Sequence, residues 1–314
     1  MHAPDFWRHR GLTARLLAPL GWLHGLSVKL KMHPGALAVA PVICVGNLTA
    51  GGSGKTPVAI AIVEALRARG RKPFFLTRGY GGTERGPALA SRGHSAAAMG
   101  DEALLLARHA QTVVARDRAA GARLASDKGA DVIVMDDGHQ NFTLHKDLSL
   151  VVVDAEIGFG NGFQIPAGPL REPVRQGLAR TDAVILIGDG DPDLEGFTGP
   201  ALRARLAADG AGFTGKRVFA FAGIGRPEKF IASLEDSGAI LTGSCFFADH
   251  HPYSEDEITE LKAIAGEAQL VTTEKDFVRM TVAQREGIQM LKVKAVFDDP
   301  VSLAHLLDRL PASV

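Results

Sequence analysis

One short segment, "NLTAGGSGKTPVAIAIVEAL" at residues 47–66, constrains the fold more than any other part of the sequence. The run "VICVGN" that leads into it is typical of a buried strand, a glycine-rich turn follows, and an apolar helical pattern comes next. Strand, turn and helix in this order are the context in which a P-loop binds phosphate. The usual spacing before Gly-Lys-Ser/Thr would put a glycine where Thr49 stands. We therefore predict a P-loop whose first turn is built differently.

The residue types of this turn suit the phosphate chain of a nucleotide. Glycines let backbone N–H groups converge on phosphate oxygens, and the helix N-terminus adds partial positive charge. Lys55 is expected to reach the transferred phosphate, and the Thr56 hydroxyl is expected to bind Mg²⁺. The predicted nucleotide-binding residues are Thr49, Gly51, Gly52, Ser53, Gly54, Lys55 and Thr56.

An acidic partner for the P-loop is expected at the end of a neighbouring strand, and "DVIVMDDGHQ" provides one. Asp136 and Asp137 follow an apolar run, and carboxylates in this position hold Mg²⁺ directly or through water. An Asp-Asp-Gly sequence alone is more often a turn. Beside a P-loop, the metal site becomes the favoured interpretation, with Asp137 also a catalytic candidate. The sequence leaves open which carboxylate contacts the metal first.

Short apolar runs alternate with helical patterns along most of the chain, which predicts an α/β fold with a doubly wound, mostly parallel sheet. The segment from about 188 to 216 is rich in loop residues, and shorter strands and helices follow it. The run "IQMLKVKAVF" is interpreted as one strand of a smaller α/β unit. We predict an N-terminal helical segment at 1–35, a P-loop domain at 36–200 and a smaller α/β domain at 201–314.

The overall composition excludes several classes of protein. Lys plus Arg (35) equals Asp plus Glu (35), so we expect no nucleic-acid partner. Cys44 and Cys245 lack CxxC spacing, which argues against a zinc site and favours a reducing, cytoplasmic compartment. The segment "TTEKD" at 272–276 resembles a guanine-recognition motif but carries its lysine one place too late. We therefore predict ATP rather than GTP, and the composition leaves the oligomeric state open.

Residues 11–33 are rich in leucine and contain Trp22, but polar and helix-breaking residues interrupt the run. About 20 continuous apolar residues are needed to span a bilayer, so spanning is not expected. The segment fits an amphipathic helix that either lies in a membrane interface, with Lys29 and Lys31 at its basic end, or packs on its own domain.

Two acidic or histidine-containing segments are ambiguous from their chemistry alone. Asp101 stands where a helix begins, and its default role there is an N-cap. "ADHHPYSEDE" carries His250 and His251, but without a third ligand nearby it indicates a loop before a helix rather than a metal site.

Two arginine-containing loops complete the candidate residues. "TRGYGG" places Arg78 in a glycine-rich loop after a strand, where it could contact phosphate or belong to a plain turn. "IPAGPLREP" presents Arg171 and Glu172 on a proline-rich loop, and such rigidity indicates a binding edge.

Together these segments resemble the tetraacyldisaccharide 4′-kinase family, the lipid A 4′-kinases of Gram-negative bacteria. The resemblance rests on "VGNLTAGGSGKTP", "TRGYGG", "GDEALLLA", "DDGHQN", "LVVVDA", "GNGFQIPAGPLREP", "FAGIGRPEKF", "FADHHPY" and "VTTEKDFVR", which occur in the family's order. They extend from about residue 20 to 280. Thr49 is itself typical of this family's loop. His139 and the "FQI" before "PAGPLREP" depart from the family's usual residues.

The resemblance implies transfer of the ATP γ-phosphoryl group to the 4′-hydroxyl of a tetraacylated glucosamine disaccharide 1-phosphate, at the cytoplasmic face of the inner membrane. It implies that Asp101 forms a base dyad with a histidine, which corresponds best to His250 although His251 stays open. It also implies that Glu172 acts in the active site with the metal. Arg78, Arg118 and Arg171 become candidate substrate contacts.

A lipid acceptor also favours the interfacial interpretation of residues 11–33, which makes the protein a peripheral partner of the membrane surface. Two rival functions remain at this point. One is a P-loop kinase for a soluble metabolite. The other is a nucleotide-dependent switch or metallochaperone that hydrolyses ATP without phosphorylating an acceptor.

Overall fold

The computed structural model describes residues 4–91, 93–210 and 212–311. Within these ranges the strands form two sheets, one of nine strands and one of four. In chain order the strands are β1 (Val42–Gly46), β2 (Pro73–Thr77), β3 (Ala88–Ala90), β4 (Thr112–Val114), β5 (Val132–Asp136), β6 (Leu148–Asp154), β7 (Ala183–Ile187), β8 (Ala201–Ala208), β9 (Arg217–Ala222), β10 (Ile240–Phe246), β11 (Gln269–Thr273), β12 (Ile288–Leu291) and β13 (Val293–Phe297).

The helices lie mostly between these strands, as expected for an α/β fold. A short 3₁₀ helix at Asp5–Arg8 precedes them. In chain order they are α1 (Leu12–Leu30), α2 (Lys55–Ala68), α3 (Ala96–Met99), α4 (Asp101–Leu106), α5 (Arg118–Asp127), α6 (Val174–Leu178), α7 (Pro227–Asp236), α8 (Glu255–Ala265), α9 (Glu274–Arg279) and α10 (Pro300–Leu307).

The large sheet has the order β13-β8-β7-β6-β1-β5-β2-β4-β3, and only its edge strands β13 and β3 pair antiparallel among the described strands. β1 lies between β5 and β6, so the loops that follow these three strands meet at one edge. Every residue of β1, β5 and β6 is buried. Continuous apolar runs form these strands because helices cover both faces of a parallel sheet.

The small sheet has the order β10-β9-β11-β12, with all neighbouring strands parallel. Strand β9, one of its two inner strands, supplies Phe221, which is fully buried against Tyr253 at 5.4 Å between ring centroids. Helix α7 packs on one face, and helix α8 and its neighbouring loops pack on the other. The loop between β10 and α8 therefore leaves this sheet at the carboxyl end of its strands.

Two strands from the range 201–314 belong to the large sheet. β8 pairs with β7 and with β13, so the interpretation of 188–216 as loop is wrong for Ala201–Ala208. Leu202 and Ala204 face inward while arginines alternate with them, and the alanine-rich composition conceals this weak strand pattern. The run at 288–297 is also divided, because Lys292 separates β12 in the small sheet from β13 in the large one. We propose that the smaller unit spans 217–291.

Helix α1 contacts the rest of the protein through small residues. Ala14, Gly21 and Gly25 are its buried positions, and a Cβ on Gly21 would lie 2.6 Å from the backbone oxygen of Gln164. Glycine therefore permits a close approach that any larger residue would prevent. Across the residues that the structure describes, no helix has both the length and the apolar character needed to cross a bilayer.

Candidate active site

The glycine-rich turn follows β1 and leads into α2 at the edge where the loops of β1, β5 and β6 meet. Gly54 has a φ of 86° and Gly51 a φ of 117°, backbone conformations that favour glycine. In the described part of the chain, a Cβ built on Gly51 or Gly52 would meet no atom within 4 Å. The turn therefore has open space beside its backbone, as the binding of a phosphate chain requires.

The first two residues of α2 contact the acidic pair at the end of β5. The Thr56 hydroxyl donates to Asp136 Oδ2 at 3.2 Å, and Lys55 Nζ lies 3.7 Å from Asp137 Oδ1. Arg171 Nη1 donates to the same Asp137 oxygen at 2.7 Å. Five residues predicted from separate motifs thus form one group.

The two carboxylates of this group differ in their electrostatic surroundings. Burial raises the pKa of Asp136 to about 7, with the nearby charge of Glu102 acting in the same direction. Burial also acts to raise the pKa of Asp137, but the charges of Lys55 and Arg171 outweigh it and lower that pKa below its ordinary value. Burial lowers the pKa of Lys55. Neighbouring cations therefore compensate the charge of Asp136 less completely than that of Asp137.

The residues present fit a magnesium ion. Asp136 Oδ1 is buried and has no hydrogen-bond partner among the described residues, and the Thr56 hydroxyl donates to the other oxygen of the same carboxylate. Over the described ranges, no group of three or more His, Cys, Asp or Glu residues is arranged to hold a metal. Mg²⁺ is usually held by one or two carboxylates together with waters and substrate phosphates, so a complete protein cage is not needed.

A second group joins the two sheets. Asp101 is the first residue of α4, with Gly100 rather than Asp101 at the N-cap. The loop after β10 places His250 Nδ1 at 2.8 Å from Asp101 Oδ2. The neighbouring His251 contacts Glu257 instead, at 2.9 Å. Of the two histidines that the sequence left open, the structure brings His250 to Asp101.

One residue of the acidic pair and one residue of the Asp101–His250 pair have an unusual backbone conformation. Asp137 has a φ of 54° and His250 a φ of 62°, values that a non-glycine residue rarely adopts. Such conformations persist where the surrounding structure holds them, often at functional sites. Here they accompany the side-chain contacts of Asp137 with Arg171 and of His250 with Asp101.

The hydrogen bond between Asp101 and His250 shifts the pKa of both side chains. Burial acts to raise the pKa of Asp101, but the bond with His250 and the charge of Arg279 lower it well below its usual range. The same bond raises the pKa of His250, and partial burial of the ring opposes this shift. At neutral pH Asp101 is therefore a carboxylate that stabilises the protonated imidazole.

The structure places the remaining predicted residues around these groups. Arg118 is buried at the start of α5, where its Nη1 donates to the Ala115 carbonyl and its Nε has no partner within the described chain. Burial lowers the pKa of Arg118 to about 10, and the positive charge of Arg78 adds to this shift. Arg78 is exposed at the end of β2. Both arginines lie at the carboxyl edge of the large sheet.

Glu172 is not brought to the acidic pair. Its fully buried carboxylate accepts two contacts from Arg180 Nη2, at 3.0 and 2.9 Å, and one from Gln140 at 2.9 Å. Gln140 also accepts a 3.4 Å hydrogen bond from Arg171. Glu172 thus reaches Asp137 only through other side chains in the described structure, and its role as a metal ligand stays a prediction.

Sequence reasoning did not identify three basic residues at the contact between the two sheets. Arg279 and Lys275, both in α9, contact Asp101 and Glu102. Arg226 bonds to Asp154 at 3.0 Å and to the carbonyl oxygen of Gly52 at 3.3 Å. All three lie in segments that carry the family resemblance, "VTTEKDFVR" and "FAGIGRPEKF". That resemblance is the one sequence feature that indicates a functional role for them.

Comparison with known sequences gives one consistent family. The family model described as LpxK, tetraacyldisaccharide-1-P 4′-kinase, matches residues 13–311. A tetraacyldisaccharide 4′-kinase of Paramagnetospirillum magneticum is 52% identical over 321 residues, covering 99% of each chain. That of Rhodospirillum rubrum is 48% identical over 324 residues, covering 99% of this chain and 98% of the relative.

Comparison with solved structures gives the same fold. The crystal structure of LpxK from Aquifex aeolicus in complex with ATP matches with a TM-score of 0.79 and 24% sequence identity. The match covers 95% of this chain and 99% of that one. It confirms the predicted α/β fold class.

Proposed function

The chain belongs to the tetraacyldisaccharide-1-phosphate 4′-kinase family, and on this basis we propose that it transfers the γ-phosphoryl group of ATP to the 4′-hydroxyl of a tetraacylated glucosamine disaccharide 1-phosphate in lipid A biosynthesis. The structural observation that carries the proposal is the hydrogen bond between Asp101 and His250. The dyad supplies a proton acceptor. The charge of Glu102, the neighbour of Asp101, raises the pKa of both Lys55 and Asp136, which supports a place for the dyad near the P-loop.

The proposed reaction requires one proton acceptor and several positive charges. His250 accepts the proton of the 4′-hydroxyl while the hydroxyl oxygen bonds to the γ-phosphorus and the bond from phosphorus to the ADP oxygen breaks. The backbone N–H groups of the glycine-rich turn and the Lys55 ammonium neutralise the charge that develops on the phosphate oxygens. Positioning and charge neutralisation supply most of the catalysis in phosphoryl transfer.

Thr56, Asp136 and Asp137 would hold Mg²⁺, because they provide the oxygen ligands that this ion prefers. When bound, the ion neutralises phosphate charge and helps to orient the transferred group. Asp137 also keeps Lys55 and Arg171 in place, since both cations contact its Oδ1.

The proposed substrate contacts are Arg78, Arg118 and Arg171. Arginine suits phosphate because its planar guanidinium offers several N–H donors in a fixed geometry. The buried Nε of Arg118, unpartnered within the described chain, supports a phosphate contact there. Arg171 donates to Asp137 beside the glycine-rich turn, so its proposed contact is with the phosphates of ATP.

We propose that α1 docks the protein on the cytoplasmic face of the inner membrane as a peripheral protein. Its outward face carries Leu12, Leu16, Leu20 and Leu23 at helical spacing, and Leu16 is 71% and Trp22 64% exposed. At about 100° per residue, this stripe lies opposite the small residues that pack on Gln164. An exposed apolar helix face next to Lys29 and Lys31 is typical of interfacial binding to anionic lipid.

Replacing Leu16, Trp22 and Leu23 together by serine is expected to release the protein from anionic liposomes in a flotation assay. The fold should persist because more than half of each of these three side chains is exposed. The matched control is Val282→Ser, which removes an apolar side chain that is 83% exposed but lies outside α1. A triple variant that floats as the wild type does would contradict the docking proposal.

Acceptor-dependent release of ADP distinguishes the proposed function from its rivals. The lipid disaccharide 1-phosphate in detergent should stimulate ADP release strongly, whereas soluble sugars and alcohols should not. A nucleotide-dependent switch would release ADP at the same rate with or without the lipid. A kinase for a soluble metabolite would respond to a soluble acceptor instead.

A further inference from the structure

Helix α9, which follows β11 of the small sheet, packs against α4 beside the large sheet. It carries two basic side chains that form ion pairs with two acidic side chains of α4. Lys275 and Arg279 stand one helical turn apart. Lys275 Nζ bonds to Glu102 Oε1 at 3.0 Å, and Arg279 bonds to Asp101. Neither Lys275 nor Arg279 belongs to the proposed nucleotide or metal contacts. The position of these two cations beside the Asp101–His250 pair therefore requires a separate role.

The guanidinium of Arg279 is held in one orientation by four hydrogen bonds. Nε and Nη2 both donate to Asp101 Oδ2, at 3.0 and 2.8 Å. Nη1 donates to the carbonyl oxygen of Gly223 at 2.9 Å and to Asp276 Oδ1 at 2.8 Å. The side chain is only 5% exposed. Arg279 is therefore a fixed part of the contact between the two sheets.

These bonds occupy the carboxylate of Asp101. Oδ2 accepts from Arg279 and meets His250 Nδ1, and Oδ1 accepts the backbone N–H of Glu102 at 2.9 Å. An ionised carboxylate can only accept, so His250 Nδ1 must be the donor in this pair. In the neutral imidazole, Nε2 is then the nitrogen that can take a proton.

We propose that Arg279 is a positioning residue that fixes the Asp101 carboxylate, so that His250 is held with Nδ1 toward Asp101 and offers Nε2 to the acceptor hydroxyl. This inference deepens the proposed function and rests on it. Because Arg279 lies in α9, beside the small sheet, and Asp101 lies in α4, beside the large sheet, the base is assembled only when the two units are in contact.

The charges that face His250 predict the sign of a pH effect. Asp101 on α4 and Asp249 on its own loop raise the pKa of His250, whereas partial burial and the charge of Arg279 on α9 lower it. The Tyr80 ring lies 6.1 Å away between centroids. His250 must be neutral to accept a proton, so activity should be lost as pH falls through its pKa. Removing the positive charge of Arg279 should raise that pKa and move the acidic limb of kcat to higher pH.

The first test compares Arg279→Gln with Arg285→Gln. Arg285 donates to the carbonyl oxygens of Phe277 and Val278 at the end of α9, so it supports the same helix without contacting Asp101. Arg279→Gln should lower kcat about 100-fold, as expected when a reacting group is displaced by about 1 Å. KM for ATP should stay near the wild-type value. NMR titration of the free enzyme should show a higher pKa for His250, whereas Arg285→Gln should leave it unchanged.

Arg279→Lys separates charge from geometry and serves where the glutamine variant does not fold. It keeps a positive charge but lacks the planar fork, so kcat should fall while the pKa of His250 stays near the wild-type value. A folded Arg279→Lys protein with wild-type kcat would overturn the proposal, as would an unchanged His250 titration in Arg279→Gln. If the wild type itself lacked acceptor-dependent activity, the proposed function would fail, and the NMR titrations would still decide whether Arg279 acts on His250.

Discussion

Replacing Lys55 by alanine is expected to lower kcat by about 100- to 1000-fold while leaving the fold intact, the range seen when one donor to a developing negative charge is removed. Lys55 is the residue of the glycine-rich turn whose ammonium can follow the transferred phosphate. Stability should change little because Asp137, its partner at 3.7 Å, keeps the shorter contact with Arg171. Steady-state kinetics and thermal unfolding of the same preparation measure the two effects separately.

Lys72→Ala is the matched control for this experiment. Lys72 is exposed and precedes β2 at the opposite edge of the large sheet. Its loss should change neither kcat nor the melting temperature appreciably. Near-normal turnover in a folded Lys55→Ala protein would contradict the assignment of the turn as a P-loop.

The second large effect concerns Asp101 and His250. Asp101→Asn and His250→Ala should each lower kcat by about 100-fold or more, because general-base catalysis contributes about 10²- to 10⁴-fold. The double variant should be little worse than the worse single variant, since residues that act as one unit are not additive. ATP affinity should change little, because neither side chain belongs to the glycine-rich turn. Asparagine is chosen because it keeps a hydrogen-bonding group opposite the buried Arg279.

His251→Ala provides an internal control from the adjacent position. His251 bonds to Glu257 and stacks on Phe247 at 4.7 Å between centroids, so it contributes to packing rather than to the dyad. Its turnover should stay close to that of the wild type. Fully additive losses in the Asp101 and His250 double variant, or weakened ATP binding with unchanged kcat, would show that the pair does not act as one unit.

The large sheet was predictable where its strands are buried on both faces. β1 is a continuous apolar run that leads into the glycine-rich turn, and β5 is an apolar run that ends at the acidic pair. Parallel neighbouring strands bring such loops to one edge, so the meeting of Thr56 with Asp136 follows from local patterns. β8 was not predictable in the same way. It lies at the half-exposed side of the sheet, where Arg203 and Arg205 interrupt the apolar signal.

The dyad and its support depend on contacts that local patterns do not contain. Asp101 begins α4 beside the large sheet and His250 lies in the loop after β10 of the small sheet, so in the sequence only the family resemblance connects them. Arg279 ends a six-residue helix, where an arginine usually interacts with the helix dipole in solvent. It is buried because α9 packs on α4, and no periodicity in either helix predicts that contact. The motif "VTTEKDFVR" supports the family resemblance, but it does not indicate that Arg279 contacts Asp101.

The position of the new phosphate on the product tests the central claim most directly. Purified protein, ATP, Mg²⁺ and the tetraacylated disaccharide 1-phosphate in detergent should give one product, heavier by one phosphoryl group. Its ³¹P NMR spectrum should contain a second monophosphate ester, coupled to the proton at the 4′ carbon, formed in equal amount to ADP. Release of ADP without this ester, or a phosphate at another hydroxyl, would contradict the account.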